Sequence, residues 1–386
     1  MIVKRRRNNL LTWFLEPFDR SRHNIGQPDM ALLIVVGILL FIGLIFLSSA
    51  SSTQAFYEYH DTYRFVKQQL IHGVIPGLVL FYAALRIDYN FYKKFTYLFL
   101  ALSIILLLLV FVSNFQSGFG TAQSWISIGG LVFQPSELVK LFLILFLAGW
   151  FDKKEHAVAN FKITTLPFII IFLVVSFLII KQPDVGTLSI IAITVLSMYY
   201  AAGAQWKHLG LILAGGALSL LVLIKAAPYR LARFSAWFNP DADPQGIGWQ
   251  IKQALIAVGS GGWLGQGLGA SRQKSYLPMP ANDSIFAVIA EEIGFIFTVA
   301  LLFLFTVFMY KGFQVTKNAP DNYAKLIALG ITVWISSQIF INIAGMLQLM
   351  PLTGVPLPFI SLGGTNLVVT LLSVGILANI SRFSQR

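Results

Sequence analysis

Ten apolar runs punctuate the chain, near 31–50, 69–86, 95–113, 138–151, 163–180, 185–202, 208–226, 284–310, 325–349 and 357–380. A hydrocarbon core of about 30 Å takes roughly 20 apolar residues in helical form, so the pattern predicts an all-α polytopic membrane protein with about ten transmembrane helices. The run at 138–151 is the shortest. The connection at 227–283 is far longer than an ordinary helix connection, and Gly, Pro, Trp and charged residues gather there, as in NPDADPQG at 239–246 and GSGGWLGQGLG at 259–269. Inside that stretch IKQALIAVG at 251–259 has the spacing of a short amphipathic helix. A long ordered loop between the seventh and eighth helices is therefore expected, not a disordered linker. No repeat or low-complexity tract divides the chain. Residues 31–380 read as a single membrane domain between an amino-terminal segment, 1–30, and a short tail, 381–386.

Composition agrees with the pattern: of 386 residues 56% are hydrophobic and only 11% charged, with a mean hydropathy of +0.74. This excludes a soluble globular domain. Basic residues fall on alternate connections, with Arg5, Arg6, Arg7, Lys93, Lys94, Lys153, Lys154, Lys311, Lys317 and Arg382 sharing one side. Lys and Arg of short loops prefer the cytoplasm, so both termini are expected inside and the stretches 51–68, 114–137 and 227–283 outside. That bias, with attraction to anionic membrane lipid, accounts for the net charge of +12 and leaves no nucleic acid to invoke. The first apolar run follows about 30 polar and basic residues without a small-residue cleavage pattern, so it is expected to stay as an anchor. With no cysteine there are neither disulfides nor thiolate metal sites, and the five histidines are scattered without ligand spacing. The Gly-rich GSGG and GLGAS lack the Lys-Ser/Thr of a phosphate loop, and no serine stands in a nucleophile elbow.

Candidate chemistry concentrates in Tyr276–Phe297, where Asp283, Glu291 and Glu292 adjoin an apolar segment. Ionisable groups at membrane depth are costly and usually functional. The prolines at 278 and 280 place Asn282 or Asp283 where a helix cap belongs. In a straight helix Glu291 would lie about 12 Å further along on nearly the same face, with Glu292 turned away. In FQPSELVK, Pro135 opens a helix, and Glu137 and Lys140 share a face at a spacing that allows an ion pair. That pair reads equally as internal neutralisation or as a substrate site. In KQPDVGT, Asp184 reads as a helix cap after Pro183. Arg230 and Arg233 of YRLARF, with Arg272 and Lys274 of SRQKSY, give the long loop a basic lining suited to phosphate, although snorkelling would explain the first two almost as well. GMLQLMPLTGVPLPFISLGGTN at 345–366 is broken by proline and glycine, and broken backbone at such depth lines a cavity.

Taken together, WISIGGLVFQPSELVK at 125–140, KQPDVGT at 181–187, the stretch 239–278, NDSIFAVIAEEIG at 282–294 and LMPLTGVPLPFISLGG at 349–364 resemble the SEDS family of peptidoglycan glycan polymerases, the group containing FtsW, RodA and SpoVE. GLGASRQKSYLP and NISR are more similar to the division-type FtsW pattern than to the elongation-type RodA pattern. The resemblance implies a bacterial cytoplasmic membrane enzyme working on the outer face. It would transfer a growing glycan from its polyprenyl pyrophosphate to the 4-hydroxyl of the next lipid II, in septal or elongation wall synthesis. Asp283 matches the family's essential acidic position, which makes it the candidate base. Trp125, Gln134, Pro135, Ser136, Glu137, Lys140 and Asp184 match motif positions that form the cavity or position substrate, and Glu291, Ser361 and the four basic loop residues join them as candidates. The resemblance implies no certain cofactor, leaving room for a divalent cation, Mg or Mn, at the pyrophosphate. It implies a class B penicillin-binding protein transpeptidase as partner, among other divisome or elongasome membrane proteins. Where many relatives carry HTDF this chain has Ala281, Asn282, Asp283 and Ser284; Ser124 replaces a frequent Arg and Leu362 a frequent Tyr. Two other classes compete: a flippase for lipid-linked precursors, whose site belongs near the midplane between repeats, and a non-catalytic scaffold, for which Asp283 would be dispensable.

Overall fold

A computed structural model describes residues 26–112, 124–128, 131–225 and 228–384. The basic cluster at residues 4–7 and the part of the stretch 114–137 up to residue 123 fall outside the described residues. Each apolar run carries a helix, although the last run, 357–380, becomes helical only from Gly364. In chain order these are α1 (Met30–Tyr59), α2 (Arg64–Arg86), α3 (Thr96–Leu109), α4 (Pro135–Lys153), α5 (Phe161–Lys181), α6 (Val185–Ala201) and α7 (Trp206–Lys225). The long loop adds α8 (Pro228–Phe238) and α9 (Ile247–Ser260). The last three are α10 (Ile285–Lys317), α11 (Asn322–Met346) and α12 (Gly364–Ser381). Six of them, α1, α2, α5, α10, α11 and α12, are long and apolar enough to cross a membrane, and α3 and α6 are shorter apolar helices. Among the described residues the only strands are an antiparallel pair, β1 (Ile126–Ile128) and β2 (Leu131–Phe133), with Ile126 opposite Phe133 and Ile128 opposite Leu131.

Helix starts follow local chemistry. Asp29 accepts the Leu32 amide at 3.0 Å to open α1, and Asp321 accepts the Ala324 amide at 2.8 Å to open α11. Pro135 occupies the first turn of α4, where an amide hydrogen has no partner in any case. The apolar core is densest along α4, α11 and α12, whose faces are buried nearly all round. By contrast α1, α2, α5 and α10 turn large apolar side chains outward, as expected of a lipid-facing shell. At one end of the bundle the Gly26 amide meets the Arg382 carbonyl at 3.0 Å and the Asp29 amide meets the Ser381 hydroxyl at 2.9 Å, so both described ends of the chain lie together. Asp283 sits at the opposite end.

Two interruptions decide the architecture at that end. The first lies inside α10, where Gly294 has φ 72° and ψ −176°, a conformation open almost only to glycine. A straight helix through Glu291 and Glu292 is therefore replaced by a short helix over 285–293 and a long apolar one beyond. The freed amides and carbonyls pair with the loop: Phe295 N–H donates to Gly262 O at 2.8 Å, and Gln266 and Gly267 N–H donate to Glu291 O and Glu292 O, each at 3.0 Å. A Cβ on Gly265 would stand 2.2 Å from the Glu292 carbonyl oxygen. The second interruption is the non-helical stretch 347–363 between α11 and α12, which lies within the broken motif expected from sequence. Gly294→Ala is expected to destabilise the protein by about 1–3 kcal/mol or more, because any side chain is strained in this backbone region. A detergent melting curve unchanged by the substitution would show that the break is not held as described.

Candidate functional site

Asp283 lies at the turn that leads into the short helix, and the structure corrects its expected role as a cap. Ser284 holds the cap position and makes no side-chain capping bond. The half-buried Asp283 carboxylate faces Gln250 of α9, with Nε2 at 3.5 Å, and lies 3.9 Å from where a Cβ on Gly354 would stand. Burial pushes this carboxyl above the usual carboxylate range. The backbone amide of Asp283, the Gln250 amide, the Arg233 charge and the Ser284 amide pull the other way without cancelling it. Freedom from capping leaves the oxygens of Asp283 available to another partner.

The turn is fixed through its backbone. Asn342 of α11 donates from Nδ2 to the carbonyls of Asp283 and Val355, both at 2.8 Å. Ser361 donates to Asn282 O at 2.6 Å and accepts the Leu357 amide at 2.7 Å, while the Leu362 amide reaches Ala281 O at 2.8 Å. Gln69 of α2 clamps the same stretch, accepting the Gly363 amide at 3.0 Å and donating to Ser361 O at 3.2 Å. Carbonyls of Leu352 and Thr353 take long bonds from Arg233 at 3.4 Å, and Trp237 and Gln348 exchange two bonds of 2.9 Å. Segment 347–363 thus joins α2, α8, α11 and the Asp283 turn.

Below it lies the expected ion pair. Lys140 Nζ is 2.9 Å from Glu137, and both side chains are 2% exposed. Neither charge depends on the other alone. Lys140 also donates to Gln338 Oε1 at 2.9 Å and lies 4.9 Å from the Trp334 ring centre, and Glu137 accepts from Asn366 of α12 at 2.7 Å. Gln338 passes the contact on to the Pro356 carbonyl at 3.0 Å. Asp184 caps α6 through the Thr187 amide at 2.9 Å, as its sequence setting predicts, and its other oxygen accepts from Gln134 at 3.3 Å. Gln134 in turn meets the Thr365 hydroxyl at 3.4 Å. Pro135 and Ser136 are buried, Ser136 Oγ without a hydrogen-bond partner, and Trp125 is half-buried just before β1.

The basic lining expected of the loop is not one surface. Arg233 belongs to the Asp283 group, and Arg230 reaches the Ile180 carbonyl at the end of α5 at 3.4 Å. Lys274 is turned onto the carbonyls of Gly269, at 2.8 Å, and Ser49, at 3.4 Å. Arg272 is exposed, and its amide, with those of Gln273 and the Ser271 hydroxyl, is gathered by the buried Glu291 carboxylate. Glu291 therefore ties the loop to the short helix, and Glu292 faces the other way, onto Ser49 of α1. Gln69, Gln250, Gln338, Asn342 and Asn366 escaped the sequence reading. Their signal was present: each is an amide in a helix whose neighbours are mainly apolar. Among the described residues no three acidic or histidine side chains gather as a metal site.

A family profile described as "Cell cycle protein", FTSW_RODA_SPOVE, matches residues 30–386. Stage V sporulation protein E of Bacillus subtilis is 39% identical over 363 residues, 93% of this chain and 98% of that protein. "Probable peptidoglycan glycosyltransferase FtsW" of Trichlorobacter lovleyi is 36% identical over 366 residues, covering 94% and 95%. Among solved structures, a chain of a peptidoglycan synthase complex that coordinates polymerization and crosslinking superposes with a TM-score of 0.76 at 25% identity, over 92% of this chain and 98% of that one. Rod shape determining protein RodA of Thermus thermophilus shares the fold, with a TM-score of 0.67 at 24% identity over 93% and 98% of the two chains.

The buried network makes a clear energetic prediction. Neutralising Glu137 or Lys140 singly leaves an uncompensated charge and is expected to cost about 3–5 kcal/mol, whereas replacing both with apolar residues is milder. Thermal unfolding of the two single variants and the double variant measures this. A double variant that loses as much as the two single variants added together would show that the pair is not energetically coupled.

Proposed function

The chain belongs to the FtsW, RodA and SpoVE family of cell cycle proteins, and from that membership we propose that it is a peptidoglycan glycosyltransferase polymerising lipid II with Asp283 as general base. The observation that carries the reading is the Asp283 carboxylate itself: half-buried, raised in pKa by burial, not used as a cap, and held through its backbone by Asn342. A base must be within hydrogen-bond reach of the proton it takes and have a pKa raised toward the working pH. An ordinary surface aspartate fails the second condition, and burial moves Asp283 toward meeting it.

In this reading the acceptor's 4-hydroxyl gives its proton to the Asp283 carboxylate as its oxygen bonds to the donor's anomeric carbon. The bond from that carbon to the pyrophosphate oxygen breaks, and the polyprenyl pyrophosphate leaves with the electron pair. Arg233 is the cation whose charge acts on Asp283, which suits it to stabilise the departing negative charge. A divalent cation would find one carboxylate at this turn and draw its other ligands from the pyrophosphate, so no step is assigned to it. The Asp283 end is taken as the outer face because the other end gathers the Lys93, Lys153, Lys311 and Lys317 connections. Crosslinking falls to a class B penicillin-binding protein, with its membrane helix against α10 and α11 and its outer domain on the loop carrying α8 and α9. Such a partner raises the rate only if it binds the competent arrangement of the loop more tightly than the resting one.

Purified protein in liposomes with labelled lipid II tests the reading. Polymer from the unmodified chain and none from Asp283→Asn or Asp283→Ala supports it; translocation without polymer would indicate a flippase, and neither product a scaffold. Because Asp283 is not a cap, Asp283→Ala loses no capping bond. Stability gives an independent readout. The raised pKa means that ionisation is harder in the folded state, so stability falls as pH rises through the folded pKa. At neutral pH Asp283→Asn removes that penalty and is expected to melt higher than the unmodified protein while being inactive; a lower melting temperature would contradict the placement of the charge.

A further inference from the structure

The glycine-rich stretch GSGGWLGQGLG takes no part in the chemistry above, yet its backbone fills the break in α10. Beside the pairings already described, Ile296 N–H donates to Trp263 O at 3.2 Å. The contact is backbone on backbone: a Cβ on Gly261 would stand 2.2 Å from Ala290 O, and one on Gly294 2.2 Å from Gly265 N. Held this way, the loop turns Trp263 and Leu264 outward, each 71% exposed, with Leu268 at 66%. The Trp263 ring meets Phe295 edge-on at 5.4 Å. Phe295, Ile296 and Phe297, all at least half exposed, begin the apolar wall that α10 carries toward Lys317. The loop's apolar tip is therefore continuous with a helix face that a bilayer covers.

We propose that residues 262–268 insert into the membrane interface at the Asp283 end, with the phospholipid acyl-chain border as the partner of Trp263, Leu264 and Leu268. A tryptophan at the top of a lipid-facing helix suits this border, where its ring is apolar and its N–H stays wet. The same residues hold the break in α10, so the bilayer sets the height of the short helix and, with it, of Asp283. The inference is independent of the catalytic reading, since it concerns only where the loop lies.

The absence of native cysteine makes the test direct. Leu264→Cys and Leu268→Cys, each spin-labelled in full-length protein in nanodiscs of phosphatidylethanolamine and phosphatidylglycerol, are compared with lipid-facing Phe303→Cys and loop-surface Asp241→Cys. Relaxation by oxygen, which concentrates in acyl chains, should exceed that by a water-soluble nickel chelate at 264 and 268, as at 303, with the reverse at 241. Nickel-dominated relaxation at both loop sites, meaning water, would overturn the proposal. So would weak relaxation by both agents, meaning that protein covers the tip.

Discussion

A backbone amide or carbonyl that leaves a helix inside an apolar environment must find another partner, at a cost of several kcal/mol if it does not. This chain leaves the helix twice at the Asp283 end, and much of what surrounds Asp283 answers that requirement. At Gly294 the answer is another stretch of backbone, which is why glycines stand at 261 and 265 where any side chain would collide with α10. Across 347–363 the answer is a set of side-chain amides and hydroxyls, from Gln69, Gln338, Asn342 and Ser361. The second repair terminates on the Asp283 turn and the first holds the short helix that follows it, so the turn is braced from both sides.

The charges follow the same division of labour. Glu137 and Lys140 are fully buried and satisfied by amides on α11 and α12, which suits them to hold the bundle together around the broken segment. Glu291 is committed to loop amides. Asp283 is partly exposed, and burial raises its pKa. Reactivity and structural support thus reside in different side chains within one connected network.

Most of the helices were legible in the sequence because membrane crossing demands long apolar runs: each of the ten runs carries a helix, although among the described residues only six are long and apolar enough to cross and the last run starts seven residues before its helix. The Asp184 cap and the Glu137–Lys140 pair were legible too, since both depend on spacing within one helix. What failed was whatever depends on a second segment. Gly294 looks like an ordinary glycine in an apolar run until Gly265 is placed against it, and Asp283 looks like a cap until Ser284 takes that position. Arg272 and Lys274 read as one surface with Arg230 and Arg233, but Glu291 and the Ser49 carbonyl draw their segment elsewhere. The β1–β2 pair carried a signal of its own, two short β-prone runs separated in the sequence by two glycines.

The central claim is that a half-buried Asp283, not used as a helix cap, supplies the base. The pH dependence of lipid II polymerisation by the unmodified protein measures it most directly. The rate should fall on the acid side through an apparent pKa above that of an ordinary aspartate, because the carboxylate must be ionised to accept a proton and burial resists ionisation. A rate that holds down to the ordinary aspartate range, or an acid limb that persists unchanged in a still-active Asp283→Asn variant, would contradict the account.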